Sequence, residues 1–182
     1  MSSPSSPAGK LRAREICVLA LMGGLIFATK AALAAFPNIN LNTPLIILTV
    51  IFFGWRAMYS VAIYVLLEGL VFGFSLWWFS YLYAWPLLVV VAMLFRRNDS
   101  VLIWAVVAGV WGLLFGPVMY VLYLTVTGWQ TAFALWVAGI PYDLTHCAGN
   151  FVFTLALYRP LYRVMAKFLG PPQIPGKNDQ TA

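Results

Sequence analysis

The sequence predicts an all-α membrane protein with six transmembrane helices and both termini in the cytoplasm. Its 182 residues are 63% hydrophobic and 9% charged, whereas soluble domains carry about 25% charged residues. The hydrophobic residues form six runs that are separated by short polar or proline-containing segments. The basic residues lie in short clusters between these runs, so the net charge of +6 indicates membrane topology and does not indicate nucleic-acid binding.

The six runs differ in length and in how they end. A helix needs about 20 apolar residues to cross a bilayer, and fewer where the membrane is thin. The first run has no small-residue cleavage site followed by a mature domain, so it is interpreted as a retained helix. A kink is predicted in the fifth helix at Pro117. The predicted helices cover residues 16–36, 45–53, 57–74, 77–95, 101–126 and 133–157, and the last continues as a basic amphipathic extension to Lys167.

These helices form one predicted transmembrane domain, residues 15–168. A cytoplasmic segment of residues 1–14 precedes it, and a tail of residues 169–182, rich in proline and glycine, is predicted to be disordered. Both cysteines lie in apolar runs, so no disulfide framework is predicted.

The distribution of Lys and Arg sets the predicted orientation. With the N-terminus inside, the three outer loops, residues 37–44, 75–80 and 126–133, contain no basic residue. Ten of the eleven basic residues then lie on the cytoplasmic side. They are Lys10, Arg12, Arg14, Arg56, Arg96, Arg97, Arg159, Arg163, Lys167 and Lys177.

Polar residues in the outer half of the bundle are the candidate binding groups. The exception to the charge rule, Lys30, shares this depth with Glu68, and with Asp143, His146 and Asn150 of the sixth helix. The last three are spaced i, i+3 and i+7 and therefore lie on one helix face. A charge in the bilayer core costs at least about 2.5 kcal/mol, so such groups normally face a cavity or a partner. The alternative is that they form internal ion pairs that only fix helix packing.

A metal site is not predicted, because the chain has one histidine and Cys147 lies on a different face from His146. No cofactor is predicted either. Aromatic residues gather at the same outer end, which suits both an interfacial belt and a pocket for a flat ring. The set includes Trp77, Trp78, Tyr81, Trp85, Tyr120 and Trp136.

Small residues repeat along the first helix. Ala20, Gly24, Ala28 and Ala32 are each four apart, and Ala31 and Ala35 form a second such pair. In lipid, this spacing allows another helix to approach closely. The partner is either another helix of the same bundle or another membrane protein.

Common catalytic motifs are missing from the sequence. It contains no G-x-x-x-x-G-K-[ST] phosphate loop, no H-E-x-x-H and no G-x-S-x-G. ATP hydrolysis is therefore not expected of this chain. An enzyme using Asp143 and His146 as acid and base remains an alternative, although no nucleophile is marked. A third possibility is an assembly factor whose small-residue face is its whole function.

The chain resembles the substrate-binding S component of an energy-coupling factor (ECF) vitamin transporter over about residues 15–168. The resemblance rests on the helix number and orientation, on the alanine-rich first helix and on three segments of sequence. These segments are the proline-bracketed loop 37–44, the stretch 68–85, and residues 139–151 followed by 157–162.

The resemblance implies a multi-pass protein of a prokaryotic plasma membrane that carries no ATPase activity itself. It implies docking on a transmembrane coupling protein (the T component) and two cytoplasmic ATPases, and delivery of substrate by reorientation of the whole subunit in the bilayer. The implied docking residues are Ala28 and Ala32, with Ala31 and Ala35 as an alternative pair. The loop from Asn38 to Thr43 is implied to cover the site.

The implied substrate is a water-soluble vitamin or a precursor. A cobalamin-type corrinoid is the leading expectation, followed closely by other B vitamins. The expected substrate-binding residues are Lys30, Asn38, Asn40, Glu68, Trp78, Tyr81, Trp85, Asp143, His146 and Asn150.

Overall fold

The computed structural model describes residues 13–36 and 39–174, and in these ranges the chain forms six α-helices and no strand. A 3₁₀ turn at Gly54–Arg56 joins the second and third helices. Each predicted run coincides with one helix. The helices are α1 (Ala13–Ala32), α2 (Asn42–Phe53), α3 (Ala57–Phe72), α4 (Leu76–Phe95), α5 (Val101–Thr127) and α6 (Trp129–Leu169).

Local sequence signals determine several helix ends. The Ser75 hydroxyl accepts a hydrogen bond from the Trp78 amide at the start of α4, and Ser100 does the same for Ile103 at the start of α5. Gly54 ends α2 with a φ of 59°, a conformation that glycine adopts without steric cost. These capping residues explain why the helix boundaries lie within a few residues of the predicted ones.

The first and last helices differ most from their predicted limits. α1 ends at Ala32, and residues 33–36 continue as turns. α6 begins at Trp129 and runs through Pro141 and Pro160, so the predicted amphipathic extension is the end of the same 41-residue helix.

Contacts show that α1 and α3 run in the same direction. Glu15 near the start of α1 pairs with Arg56 just before α3 at 2.9 Å. Lys30 near the end of α1 pairs with Glu68 near the end of α3. The start of α1 therefore lies beside the start of α3, and the end of α1 lies beside the end of α3, so the two helices are parallel. α2, which lies between them in the sequence, therefore runs through the bundle in the opposite direction.

The remaining helices continue this alternation. α5 and α6 are antiparallel, because Gly116 faces Asp143 while Ala108 faces Asn150. At one end of the bundle Ser80 of α4 bonds to Met119 of α5, and at the other end Arg96 bonds to Ile51 of α2. The chain thus crosses the bundle six times within the described ranges.

Four helical stretches in these ranges are long and apolar enough to cross a membrane, which supports a membrane protein. α2 and α3 together form one of these stretches, of 31 residues, and α6 is not among the four. Polar residues interrupt the apolar sequence of α6. The four stretches are Ala13–Ala32, Asn42–Phe72, Leu76–Phe95 and Val101–Thr127.

α2 lies at the centre of the bundle. Residues 42–51 are all buried, as expected for a helix that is apolar around its whole circumference. Leu70 and Leu94, on the outer surface, are 64% and 77% exposed. Apolar side chains therefore cover both the interior and the outside, as the lipid-facing surface of a membrane protein requires.

Part of the predicted disordered tail packs against the bundle. The Arg96 guanidinium donates a hydrogen bond to the Gln173 carbonyl at 3.3 Å, and Ile174 is buried. Residues 170–174 of the predicted tail therefore belong to the described range and contact the bundle. Most of the predicted N-terminal segment and the tail beyond Ile174 lie outside the described residues.

Candidate functional site

A buried ion pair joins α1 to α3 at the end of the bundle where α1 finishes. The Lys30 ammonium contacts the Glu68 carboxylate, and these side chains are 20% and 2% exposed. The same ammonium lies 3.3 Å from the Tyr81 hydroxyl and 4.8 Å from the centre of the Trp77 ring. Both aromatic residues belong to α4, so one cation connects three helices.

A second polar group forms a stripe along α6. Asp143, His146 and Asn150 are 4%, 1% and 1% exposed, and Thr154, one turn further on, is fully buried. At 1.5 Å per residue this stripe is about 16 Å long. The predicted placement of Asp143, His146 and Asn150 on one buried face is therefore what the structure shows.

Glycines of α5 allow the stripe to approach closely. The amide of Gly116 donates a hydrogen bond to Asp143 Oδ1 at 3.1 Å. A Cβ at Gly116 would overlap the Asp143 carboxylate, and one at Gly112 would lie 2.7 Å from the backbone of His146. Side chains at these α5 positions would force the helices apart.

Several polar atoms of the stripe have no hydrogen-bond partner among the described residues. They are Asp143 Oδ2, both ring nitrogens of His146, Asn150 Oδ1 and Thr154 Oγ1. The Asn150 side-chain nitrogen uses one of its two N–H groups to donate to the Ala108 carbonyl at 3.2 Å. Leaving such a group buried and unpaired costs about 1–3 kcal/mol. Five further buried atoms share this property: Asn42 Oδ1, Thr43 Oγ1, Glu68 Oε1, Trp85 Nε1 and Trp111 Nε1.

Folded proteins leave only a few buried polar groups unsatisfied per 100 residues. Ten such atoms, five of them on one face of α6, make this interior a candidate place for polar molecules to bind. In an otherwise apolar protein, the stripe is the strongest candidate for a binding site.

An aromatic cluster lies between the two polar groups. Tyr64 and Tyr81 both pack against Trp85, with ring centroids 5.6 and 5.5 Å apart. Trp85 packs against Phe115 at 5.2 Å, and Phe115 meets the His146 ring edge-on at 4.9 Å. The cluster therefore gives the stripe an aromatic wall and connects it to the Lys30–Glu68 pair.

The segment between α1 and α2 lies beside the stripe. Asn42 is fully buried and its amide nitrogen donates to the Tyr64 hydroxyl at 2.8 Å. Asn40 Oδ1 accepts a hydrogen bond from the Asn42 backbone at 3.1 Å. Ile39 lies 4.0 Å from the position that a Cβ would take at Gly149. Ile39 is thus placed against α6 at Gly149, while Asn42 contacts α3.

The structure separates the predicted binding residues into three groups. Lys30, Glu68 and Tyr81 are in contact, while Asp143, His146 and Asn150 form the stripe, and Trp85 belongs to the aromatic cluster between them. Asp143 does not join the Lys30–Glu68 pair, because Gly116 holds its carboxylate on α5.

The two remaining described positions make other contacts. The Trp78 indole donates to the Val65 carbonyl at 2.7 Å and lines an apolar groove of about 410 Å³ between α3 and α4. Asn40 uses its side-chain oxygen within its own turn. Asn38 lies outside the described residues.

Sequence reasoning did not select some residues that the structure places at the site. Thr154 continues the i, i+3, i+7 spacing by one turn and could have been found from it. Asn42 and Thr43, at the start of a strongly apolar helix, were expected only as the end of the loop that covers the site and not as binding residues. Tyr64 and Phe115 carry no local signal, because their position depends on how α3, α4 and α5 pack.

The small-residue face of α1 is exposed in this chain. Leu19, Met22, Gly23 and Ile26 pack toward α3 on the opposite face, and a Cβ at Gly24 would meet no atom within 4 Å. The face is therefore not used for packing within the described residues. The predicted docking residues Ala28, Ala31, Ala32 and Ala35 are all exposed.

The described residues contain no group of three His, Cys, Asp or Glu side chains arranged to hold a metal ion. The arrangement instead offers hydrogen-bonding groups of both kinds, one carboxylate and an aromatic wall, which together suit binding of a small polar molecule. Comparisons of this chain with protein-family models, curated proteins and solved structures give no match.

Proposed function

We propose that this chain is the substrate-binding S component of an ECF-type importer for a water-soluble vitamin or a precursor. The observation that carries the proposal is the buried stripe of unpartnered polar atoms on Asp143, His146 and Asn150, set beside an aromatic cluster in an apolar bundle. Buried ionisable groups in a membrane protein normally serve a solute path or a binding site.

The proposal includes six membrane crossings with both termini in the cytoplasm. Consecutive helices alternate in direction, and the N-terminus of α1, the α2–α3 turn, the α4–α5 connection and the end of α6 share one end of the bundle. Basic residues collect at that end, and Lys30 lies near the other. The positive-inside rule then favours the basic end as the cytoplasmic one, and the resemblance adds a prokaryotic plasma membrane to the proposal.

α6 contributes a crossing in this proposal although its polar stripe lowers its hydropathy. The stripe faces α5 and the aromatic cluster, so those polar groups do not contact lipid. A transmembrane helix tolerates such residues when they face the bundle interior.

Substrate reaches the stripe from the outer end, where Ile39 lies against α6. The exposed small-residue face of α1 is the docking surface for the T component, because small residues allow close helix contact in lipid. Two cytoplasmic ATPases supply the energy, since this chain has no phosphate-binding loop. Docking reorients the subunit and carries its site to the cytoplasmic side.

Ligand-induced thermal stabilisation of the purified protein in detergent tests the proposal. The panel covers the water-soluble vitamins and includes cobalamin, which keeps the corrinoid expectation under test. A ligand at 100 times its Kd is expected to stabilise the protein by about 2.7 kcal/mol. Asn150→Ala should abolish the shift, while the matched control Asn98→Ala, in the connection at the opposite end of the bundle, should retain it.

Other outcomes favour the alternatives. Turnover of the bound compound by the purified chain without partner proteins would indicate a membrane enzyme using Asp143 and His146. No stabilisation by any vitamin, together with normal folding of Asn150→Ala, would indicate an assembly factor and would contradict the proposed function.

A further inference from the structure

The described acidic side chains of the bundle differ in how their charge is neutralised. Glu15 pairs with Arg56 at 2.9 Å, and Glu68 pairs with Lys30. Asp143 has no basic side chain within ion-pair distance among the described residues. It accepts a single hydrogen bond, from the Gly116 amide. The stripe therefore carries one buried carboxyl group for which the described part of the chain supplies no balancing cation.

The unpartnered groups of the stripe are mainly hydrogen-bond acceptors. Asn150 Oδ1 can only accept, as can Asp143 Oδ2 when the carboxyl is ionised, and both are unpartnered. One of the two N–H groups of the Asn150 side chain is already bound to the Ala108 carbonyl. His146 offers one donor and one acceptor when neutral. A molecule lying along this face thus meets more acceptors than donors.

The aromatic wall also favours particular ligands, namely cations and flat rings. Phe115 lies against His146, and Trp85 lies behind Phe115. The faces of aromatic rings attract cations, and they also stack with flat rings. Asp143 and Asn150 are seven residues apart, so about 10 Å of helix separates them, which one or two linked rings would span.

We propose that the α6 stripe recognises a small, flat, positively charged nitrogen heterocycle. Its charge neutralises Asp143, its N–H groups donate to Asp143 Oδ2 and Asn150 Oδ1, and its ring packs against Phe115. This inference rests on the proposed function and names the charge class of the substrate. A neutral or anionic ligand would leave the buried carboxylate unbalanced.

Matched pairs of probes test the charge directly in the wild-type protein. Thiamine is compared with 3-deazathiamine, its uncharged analogue of the same shape, and 1-methylnicotinamide is compared with nicotinamide. Nicotinate, biotin, pantothenate and cobalamin complete the panel. We expect the largest thermal shift from a cation, with its uncharged counterpart binding at least tenfold more weakly.

A variant that keeps the shape of the carboxylate tests its role. Asp143→Asn is expected to raise the Kd of the best cationic probe at least tenfold, which corresponds to about 1.4 kcal/mol. The matched control Glu15→Gln removes a carboxylate at the opposite end and should leave that Kd within twofold. If Asp143→Asn does not fold, the matched probe pairs still decide the question in the unmodified protein.

Failure of this inference can be distinguished from failure of the proposed function. A largest shift from a neutral or anionic vitamin, cobalamin included, would overturn the charge class and leave the binding-subunit function in place. Equal binding of a cation by Asp143→Asn and the unmodified protein would also overturn it. The absence of a shift with every compound would contradict both.

Discussion

The Lys30–Glu68 pair gives a quantitative test of the packing, because its two members differ in burial. The Glu68 side chain is 2% exposed and the Lys30 side chain is 20% exposed. In Lys30→Met, a deeply buried carboxylate loses its cation, and such a loss costs about 3–5 kcal/mol. In Glu68→Gln, the ammonium can shift toward the open end and retains the Trp77 and Tyr81 rings. That change should cost about 1–2 kcal/mol.

A double-mutant cycle measures this asymmetry. The free energy of unfolding is obtained from SDS titrations in mixed micelles, followed by helical circular dichroism. The double variant Lys30→Met/Glu68→Gln should lose at least about 1 kcal/mol less than the sum of the single variants. Glu15→Gln is the matched control. It breaks a pair whose side chains are 38% and 30% exposed, and it should cost below about 1 kcal/mol.

Two results would refute this reasoning. A larger loss for Glu68→Gln than for Lys30→Met would show that burial does not determine the cost. Additive single losses would show that the two charges do not interact in the folded protein.

Other expected outcomes concern helix packing and orientation. Gly116→Ala should destabilise the protein by about 1–3 kcal/mol, because its methyl group overlaps the buried carboxylate of α6. Gly24→Ala should leave the Tm unchanged or slightly higher, and equal losses for the two would contradict this packing. In a cysteine-free background, Thr127→Cys should react with a membrane-impermeant maleimide on intact cells and Asp99→Cys should not. Labelling of both sites, or the reverse pattern, would rule out the proposed topology. Arg96→Leu should lower the free energy of unfolding by about 1.5–3 kcal/mol, because it removes hydrogen bonds from a charged group to a carbonyl near the end of α2. A denaturant titration measures this loss, and an unchanged midpoint would show that Arg96 does not stabilise the end of α2.

The helices of this protein follow directly from its sequence. An apolar run in lipid must satisfy its backbone hydrogen bonds internally, so each run becomes a helix. The α6 stripe is equally local, because the spacing of Asp143, His146 and Asn150 alone places them on one face. These features depend on residues within a few turns of each other.

The relations between helices could not be predicted in the same way. The sequence placed Lys30, Glu68 and Asp143 at a similar depth but did not show which of them meet. Their separation depends on the parallel packing of α1 and α3 and on the contact of Gly116 with α6. Whether the small-residue face of α1 is exposed also depends on which helices surround it. Such contacts join residues that are distant in the chain, and hydrophobic patterns carry no information about them.

The shortness of α2 has a consequence for how the protein is made. Twelve residues span about 18 Å, which is less than the roughly 30 Å of a bilayer core. The Gly54–Arg56 turn connects α2 to α3, and the two helices together form a continuous apolar stretch of 31 residues. α2 is thus too short to enter the bilayer as an independent unit during synthesis. We therefore expect it to partition together with α3 as a helical hairpin.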